Sequence, residues 1–138
     1  MPAENVYVFD ACAIIALLDD EPGGEVAETI LAGEGHRCLV HLLNACEVYY
    51  HIFRRVDQKR ADQLRGVLES YGFELEAALV PALWQEASRL KAEWRRVSLV
   101  DCFALALAIQ EKATLVTSDH HELDPIAEAG LCPFRFIR

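Results

Sequence analysis

The sequence predicts an α/β domain, a three-layer α/β/α sandwich built on a central parallel sheet. Short apolar runs of four or five residues alternate with longer helix-period segments, and no repeat, low-complexity stretch or Ser/Pro linker interrupts them. Strands separated by helices of this length imply right-handed βαβ crossovers and a sheet covered on both faces. In such sheets ligands bind outside the carboxyl ends of the strands, where strand order reverses. Acids at strand ends therefore call for the closest reading.

In chain order, residues 5–9 (NVYVF) read as a buried strand, followed at once by an apolar helix at 11–18 that stops before the Glu21-Pro22-Gly23-Gly24 turn. A helix at 24–33 leads to a strand at 37–40. A helix at 42–55 and an amphipathic one at 58–71 follow, the latter ended by Gly72. A short strand at 73–76 precedes a helix at 82–95, and Ser98 then caps an almost wholly apolar helix at 99–112. Next come the strand TLVT at 114–117, a short helix at 121–129 stopped by Gly130, and a strand at 134–137.

The 138 residues suit one domain, 1–138, large enough to bury about two-thirds of the surface of its unfolded form. Its longest uncharged apolar runs, 11–18 and 102–109, fall far short of the roughly 20 residues of a membrane span. The first stretch contains Glu4 and no basic residue before Arg37, which is not the form of a secretory signal, so a cytoplasmic protein is expected. Cysteines 12, 38, 46, 102 and 132 form no C-x-x-C pair and no zinc spacing, and read as buried reduced thiols.

A net charge of −9 excludes a protein that coats nucleic acid by bulk electrostatics. The charge is unevenly spread: residues 54–96 hold nine of the thirteen Lys and Arg against seven acids, while the remainder holds four against fifteen. That pattern fits solvated helix faces, or a basic rim beside an acidic cleft able to hold a phosphate backbone.

Four acids sit in the most apolar parts of the chain. Asp10 ends the VYVF strand and precedes ACAIIALL, a placement that is unfavourable unless the carboxylate finds a partner. Asp119 repeats the arrangement after TLVTS. Asp101 lies in SLVDCFALALAI, where it also completes an S-x-x-D capping pattern with Ser98. Glu47 lies in LLNACEVYYHIF, where Asn44 as N-cap with Glu47 three residues on is one arrangement, although Leu42 and Leu43 suggest an earlier start. Each acid has a capping explanation of its own. Convergence on one cation accounts for all four together. Carboxylates without His or Cys are hard oxygen ligands that suit Mg²⁺ or Mn²⁺, and such a set supports metal-assisted phosphodiester hydrolysis without a covalent nucleophile.

These blocks resemble PIN-domain ribonucleases, particularly the VapC-like toxins of bacterial and archaeal toxin–antitoxin pairs. VYVFDACAIIALLDDEPGGE is similar to the family's first block, LLNACEVYYHIFRR to the second, and SLVDCFALALAIQEKATLVTSDHHELDPIAEAG to the third and fourth. The resemblance implies a five-stranded parallel sheet and a Mg²⁺- or Mn²⁺-dependent endoribonuclease using one or two ions. Asp10, Glu47, Asp101 and Asp119 would be the catalytic and metal-binding residues, with Thr117, Asn44 and Cys12 in support. It further implies an RNA substrate, an antitoxin whose tail covers the acidic cleft, and a homodimer within a larger complex. At position 12 the family often has a hydroxyl residue; the cysteine here is a weaker hydrogen-bond partner, so looser orientation of Asp10 is expected. Arg54, Arg55, Arg96 and His120 read either as RNA contacts or as solvated surface groups.

Other acidic α/β classes fail on their central residues. A phospho-acceptor receiver domain wants adjacent acids after its first strand and an Asp ending its third, where this chain has Asp10-Ala11 and the acid-free 77–81. Haloacid-dehalogenase-type phosphatases need an Asp where Cys12 stands. Within the PIN resemblance, an RNA-processing nuclease outside a toxin–antitoxin pair and a catalytically weak interaction module are the alternatives.

Overall fold

The computed structural model describes residues 5–138, so residues 1–4 of the expected domain, Glu4 included, lie outside the described residues. The elements run β1 (Val6–Phe9), α1 (Ala11–Leu18), α2 (Gly24–Leu31), β2 (Arg37–His41), α3 (Leu42–Arg55), α4 (Gln58–Asp62), α5 (Leu64–Ser70), β3 (Phe73–Glu76), α6 (Pro81–Glu93), α7 (Leu99–Glu111), β4 (Thr114–Thr117), α8 (His120–Ala129) and β5 (Phe134–Phe136). The five strands form one sheet in the order β3-β2-β1-β4-β5, and every pairing is parallel.

Strand alternation divides the core in two. Val8, Leu39 and Leu115 point to one face, where Leu83 and Leu90 of α6, Leu105 of α7, and Leu123 and Ile126 of α8 cover them. Their neighbours Phe9, Val40 and Val116 point to the other, under Ile14 of α1, Ile30 of α2, Val48 of α3 and Leu68 of α5. The chain builds outward from β1 to β3 with helices on the second face, then crosses to β4 and β5 with helices on the first. Reversing direction and face together keeps the crossovers of one hand. The reversal falls between β1 and β4, whose register sets Phe9 beside Val116. The residues that follow those two strands therefore flank the crevice at the switch point.

Local departures from the sequence reading have physical causes. The helix expected over 58–71 breaks at Gln63, whose amide bonds the carbonyl of Arg60, three residues back. Ala61, Leu64 and Leu68 remain buried across the break, so the apolar stripe survives it. α6 begins at Pro81, a residue suited to the first helical position, and ends at Glu93 because Trp94 leaves helical geometry and its carbonyl accepts from the Val97 amide to close a turn. The N-cap of α3 is His41, not Asn44. Its Nδ1 accepts from the Leu43 amide at 3.1 Å, and its Nε2, 3.3 Å from the Ala78 carbonyl, is placed as the donor. Burial lowers the pKa of this imidazole and so favours the neutral form that capping requires. Of the five thiols, Cys38 and Cys102 are buried, Cys12 and Cys132 are partly buried, and Cys46 is exposed, against the expectation for it.

α1 and α2 approach so closely at Gly24 that a Cβ there would lie 2.6 Å from the Ala16 carbonyl oxygen. Gly66, exposed in α5, has open space around the same position. Gly24→Ala is expected to lower the unfolding free energy by about 1–3 kcal/mol. Gly66→Ala is expected to raise it by roughly 0.4–1 kcal/mol. Urea unfolding of the two variants checks both signs; a neutral Gly24→Ala would show that the α1–α2 contact is slack.

Candidate metal centre

Asp10 stands immediately after β1 and caps α1, its Oδ1 accepting from the Ala13 amide at 3.0 Å and from the Cys12 thiol at 3.1 Å. Its own amide bonds the Val116 carbonyl at 3.1 Å and fixes it beside the end of β4. The residue is 1% exposed, and its second oxygen, Oδ2, is buried with no hydrogen-bond partner among the described residues. Burial raises its pKa, a shift opposed by Thr117, Ala13 and Cys12 and reinforced by the charge of Asp119.

Across the crevice, Thr117 ends β4 fully buried, and its hydroxyl accepts from the Asp119 amide at 3.0 Å. The Cys12 Sγ lies 3.4 Å from the Thr117 Oγ1. The thiol thus takes the bridging place expected of a hydroxyl. Burial, with the Asp10 charge second, pushes the Cys12 pKa up to about 12, so it stays a neutral donor. Asp119 caps α8 through Oδ1, which accepts from the Glu122 amide at 3.1 Å, and its Oδ2 is outside the cap.

Asp101 occupies the first turn of α7, where its amide donates to the Ser98 hydroxyl at 3.1 Å as the S-x-x-D spacing predicts. Its pKa is pushed up to about 7 by burial first, then by the charges of Asp10, Glu47 and Glu122, with Ser98 opposing. Glu47, half-buried on α3, has its pKa raised by burial and by the charges of Asp10 and Glu122.

Asn44, one turn before Glu47 and fully buried, is a brace. Its Oδ1 accepts from the Ala11 amide at 3.3 Å and its Nδ2 donates to the Val100 carbonyl at 3.3 Å. One side chain thereby joins the helices beside Asp10, Glu47 and Asp101.

Asp101, Asp119 and Glu122 bring one carboxylate oxygen each within 4.8 Å of one another, the metal-competent group found among the described residues. Asp10 and Glu47 lie outside that tight group but act electrostatically on its members. Glu122 is the residue that sequence reasoning missed. Its signal was the three-residue spacing from Asp119, which reads equally as a first-turn acid favoured by the helix dipole. The donor set is all carboxylate, and the orphaned Asp10 Oδ2 lacks any hydrogen-bond partner among the described residues. Both features fit a hard divalent cation.

The remaining candidates divide. Arg96 lines a cavity of about 560 Å³ that includes His121 and Glu122, and so borders the acids. Arg54 and Arg55 lie exposed at the end of α3, lining a smaller depression of about 290 Å³ with Tyr50 and His51. His120 is engaged within the fold: its ring stacks on Phe136 with centroids 4.0 Å apart, its Nδ1 meets Asp124 at 2.8 Å and its Nε2 the Arg138 carbonyl at 2.7 Å. Both nitrogens being occupied, His121 is the histidine that faces the cavity beside Glu122.

The chain matches the PIN domain family over residues 7–128. Among solved structures, its fold is similar to the VapBC2 complex of Rickettsia felis bound to a DNA fragment from its promoter. The TM-score is 0.75 at 15% identity, covering 95% of this chain and 98% of that one. A toxin–antitoxin complex from Klebsiella pneumoniae matches with TM-score 0.71 at 18% identity, covering 96% and 98%. VapC20 of Mycobacterium tuberculosis, a toxin that cleaves the sarcin–ricin loop, matches with TM-score 0.69 at 15% identity, covering 86% and 94%. No curated protein matches the sequence significantly.

Because the pKa of Asp101 is raised from an ordinary 3.8 to about 7, the folded state binds this proton more tightly than the unfolded chain. The group therefore destabilises the metal-free protein as pH rises from the lower value through the higher. In excess chelator, Asp101→Asn is expected to melt above the wild type at about pH 8 and level with it at about pH 4. A melting temperature that shifts equally at both pH values would mean that neither burial nor the neighbouring carboxylates raise the pKa of Asp101.

Proposed function

The chain belongs to the PIN domain family, and from that premise we propose that it is a Mg²⁺- or Mn²⁺-dependent endoribonuclease, the toxin of a cytoplasmic toxin–antitoxin pair. The observation that supports this most is the buried, half-unsatisfied Asp10 carboxylate at the sheet's switch point, whose charge acts on Asp101 and which feels that of Asp119.

In this reading Asp10, Glu47, Asp101 and Asp119 hold one or two ions, and Glu122 joins them. A cation bound there supplies charge neutralisation on the phosphate and activation of a water for in-line attack. The chain's own residues do the positioning. Asp10 is fixed in direction by the Ala13 amide and the Cys12 thiol, Asp119 by the cap of α8, and the spacing of the three helices by Asn44. Thr117 anchors the Asp119 backbone on one side and meets Cys12 on the other. Arg54, Arg55 and Arg96 stand along the rim as contacts to backbone phosphates. Glu47 and Arg54 are seven residues apart on α3, which sets them on one face at about 10 Å.

An antitoxin partner agrees with the nature of the structural neighbours, two of which are toxin–antitoxin complexes, and a homodimer is the assembly expected with it. Such a partner would cover the acidic crevice and keep RNA out.

Purified protein should cleave single-stranded RNA with Mg²⁺ or Mn²⁺ and stop in excess chelator. Asp10→Asn and Asp101→Asn should each lower kcat by more than the roughly 10- to 100-fold that loss of an outer-shell partner costs, with the circular dichroism spectrum unchanged. Full activity in either variant, or with chelator, would remove the metal-dependent mechanism and the assignment of these acids to it; failure of the wild type to cleave RNA at all would remove the ribonuclease assignment. Co-purification with the product of a small reading frame beside its gene tests the partner separately.

A further inference from the structure

The turn between α6 and α7 builds a feature that the acids do not explain. The Val97 amide donates to the Trp94 carbonyl at 3.0 Å, which places Arg95 and Arg96 at the two corner positions of a hydrogen-bonded turn. The Lys91 ammonium donates to the Arg95 carbonyl at 2.7 Å and fastens the corner to α6. On either side, Val97 is buried and Trp94 packs on the α6–α7–α8 core, its Nε1 buried without a hydrogen-bond partner among the described residues. The two guanidinium groups are thus presented from a fixed base.

Neither arginine forms a salt bridge among the described residues, whereas Arg37, Arg65, Arg89 and Arg138 each pair with a carboxylate. Both face the cavity of about 560 Å³ whose opposite wall is His121, Glu122 and Pro125 of α8. That volume lies within the range of about 300–1,000 Å³ typical of small-ligand sites. Its lining is divided: Trp94, Val97 and Pro125 are apolar, and Arg95, Arg96 and His121 are basic or polar. Glu93 also lines it, and Glu122 belongs at once to this wall and to the group of three acids.

We propose that this cavity is a subsite for one nucleotide of single-stranded RNA next to the cleaved bond, its base against Trp94 and Pro125 and its phosphate held by Arg95 and Arg96. The inference rests on the ribonuclease reading and extends it to a substrate-positioning element. Because Glu122 is shared, a strand whose reacting phosphate lies over the acids has its neighbouring nucleotide at the cavity mouth. Stacking on an aromatic face needs an unstacked base, which a single strand offers and a duplex does not. In a chain of net charge −9, two unpaired arginines beside the acidic centre also supply the local attraction for a polyanion that the molecule lacks as a whole.

The probe is a short fluorescein-labelled single-stranded oligoribonucleotide, its binding followed by anisotropy with Ca²⁺ replacing Mn²⁺ to slow cleavage, and its cleavage followed with Mn²⁺. Arg95→Ala with Arg96→Ala should weaken binding by about ten-fold or more and raise KM with kcat little changed. The slope of log affinity against log salt should shrink by about 1.4, two phosphate contacts at roughly 0.7 each. The charge-matched pair Lys59→Ala with Arg60→Ala on α4 should leave both unchanged, and all variants should melt like the wild type. In a Trp84→Phe background the oligonucleotide should quench the emission of Trp94. Wild-type KM and affinity in the arginine variant, equal losses from both charge pairs, or unquenched Trp94 in an enzyme that does cleave would overturn the subsite alone. A wild type that neither binds nor cleaves the oligonucleotide would overturn the ribonuclease reading and the subsite with it.

Discussion

Repulsion among carboxylates gathered at the reversal of strand order is the constraint around which this molecule is arranged. Burial makes Asp101 harder to ionise, and the charges on Asp10, Glu47 and Glu122 add to the effect. A fold tolerates such a cluster only if local dipoles offset it or a cation occupies it. The chain uses helix N-termini for the first part. Asp10 caps α1, Asp119 caps α8, and Asp101 and Glu122 sit in the first turns of α7 and α8, so the positive ends of three helices are directed at the same crevice.

Capping and metal binding are therefore not competing explanations for these acids. At Asp10 and Asp119 one oxygen satisfies a helix amide, and the other is outside the cap. The cap sets the rotamer and the direction of the carboxylate, which is the preorganisation a cation site needs. Asn44 performs the same service between elements. Its two hydrogen bonds join α3 to the backbones beside Asp10 and Asp101, so three segments distant in sequence keep a common spacing. Cys12, in the place where a hydroxyl is usual, keeps its proton because it is buried beside Asp10, and so donates to that carboxylate as a hydroxyl would.

The distribution of basic residues complements this centre. Charge segregation along the chain left two readings open, solvated helix faces or a basic rim, and the fold supports each in part. Arg65 and Arg89 pair with acids on their own helices, as solvated faces do. Arg95 and Arg96 are raised on a pinned turn next to Glu122. The distinction depends on where α6 stops. Had the helix continued to residue 95, as its pattern suggested, the two arginines would have entered different helical faces.

By itself the sequence determined the layer architecture and the parallel sheet, and it marked by position Asp10 and Asp119 at strand ends and Asp101 in the first turn of an apolar helix. Those features are local, since strand alternation, apolar runs and capping spacings are written in neighbouring residues. Only the tertiary structure decided that Glu122 joins Asp101 and Asp119 more closely than Glu47 does, because that depends on the first turns of α7 and α8 being brought together. It likewise made His41 the cap of α3 and freed Asn44 to brace three helices. It stacked the exposed His120 ring on Phe136 while His121 lines the cavity. The deciding contacts join different elements, as Asn44 does with Ala11 and Val100, and no periodicity or propensity in one segment encodes the position of another.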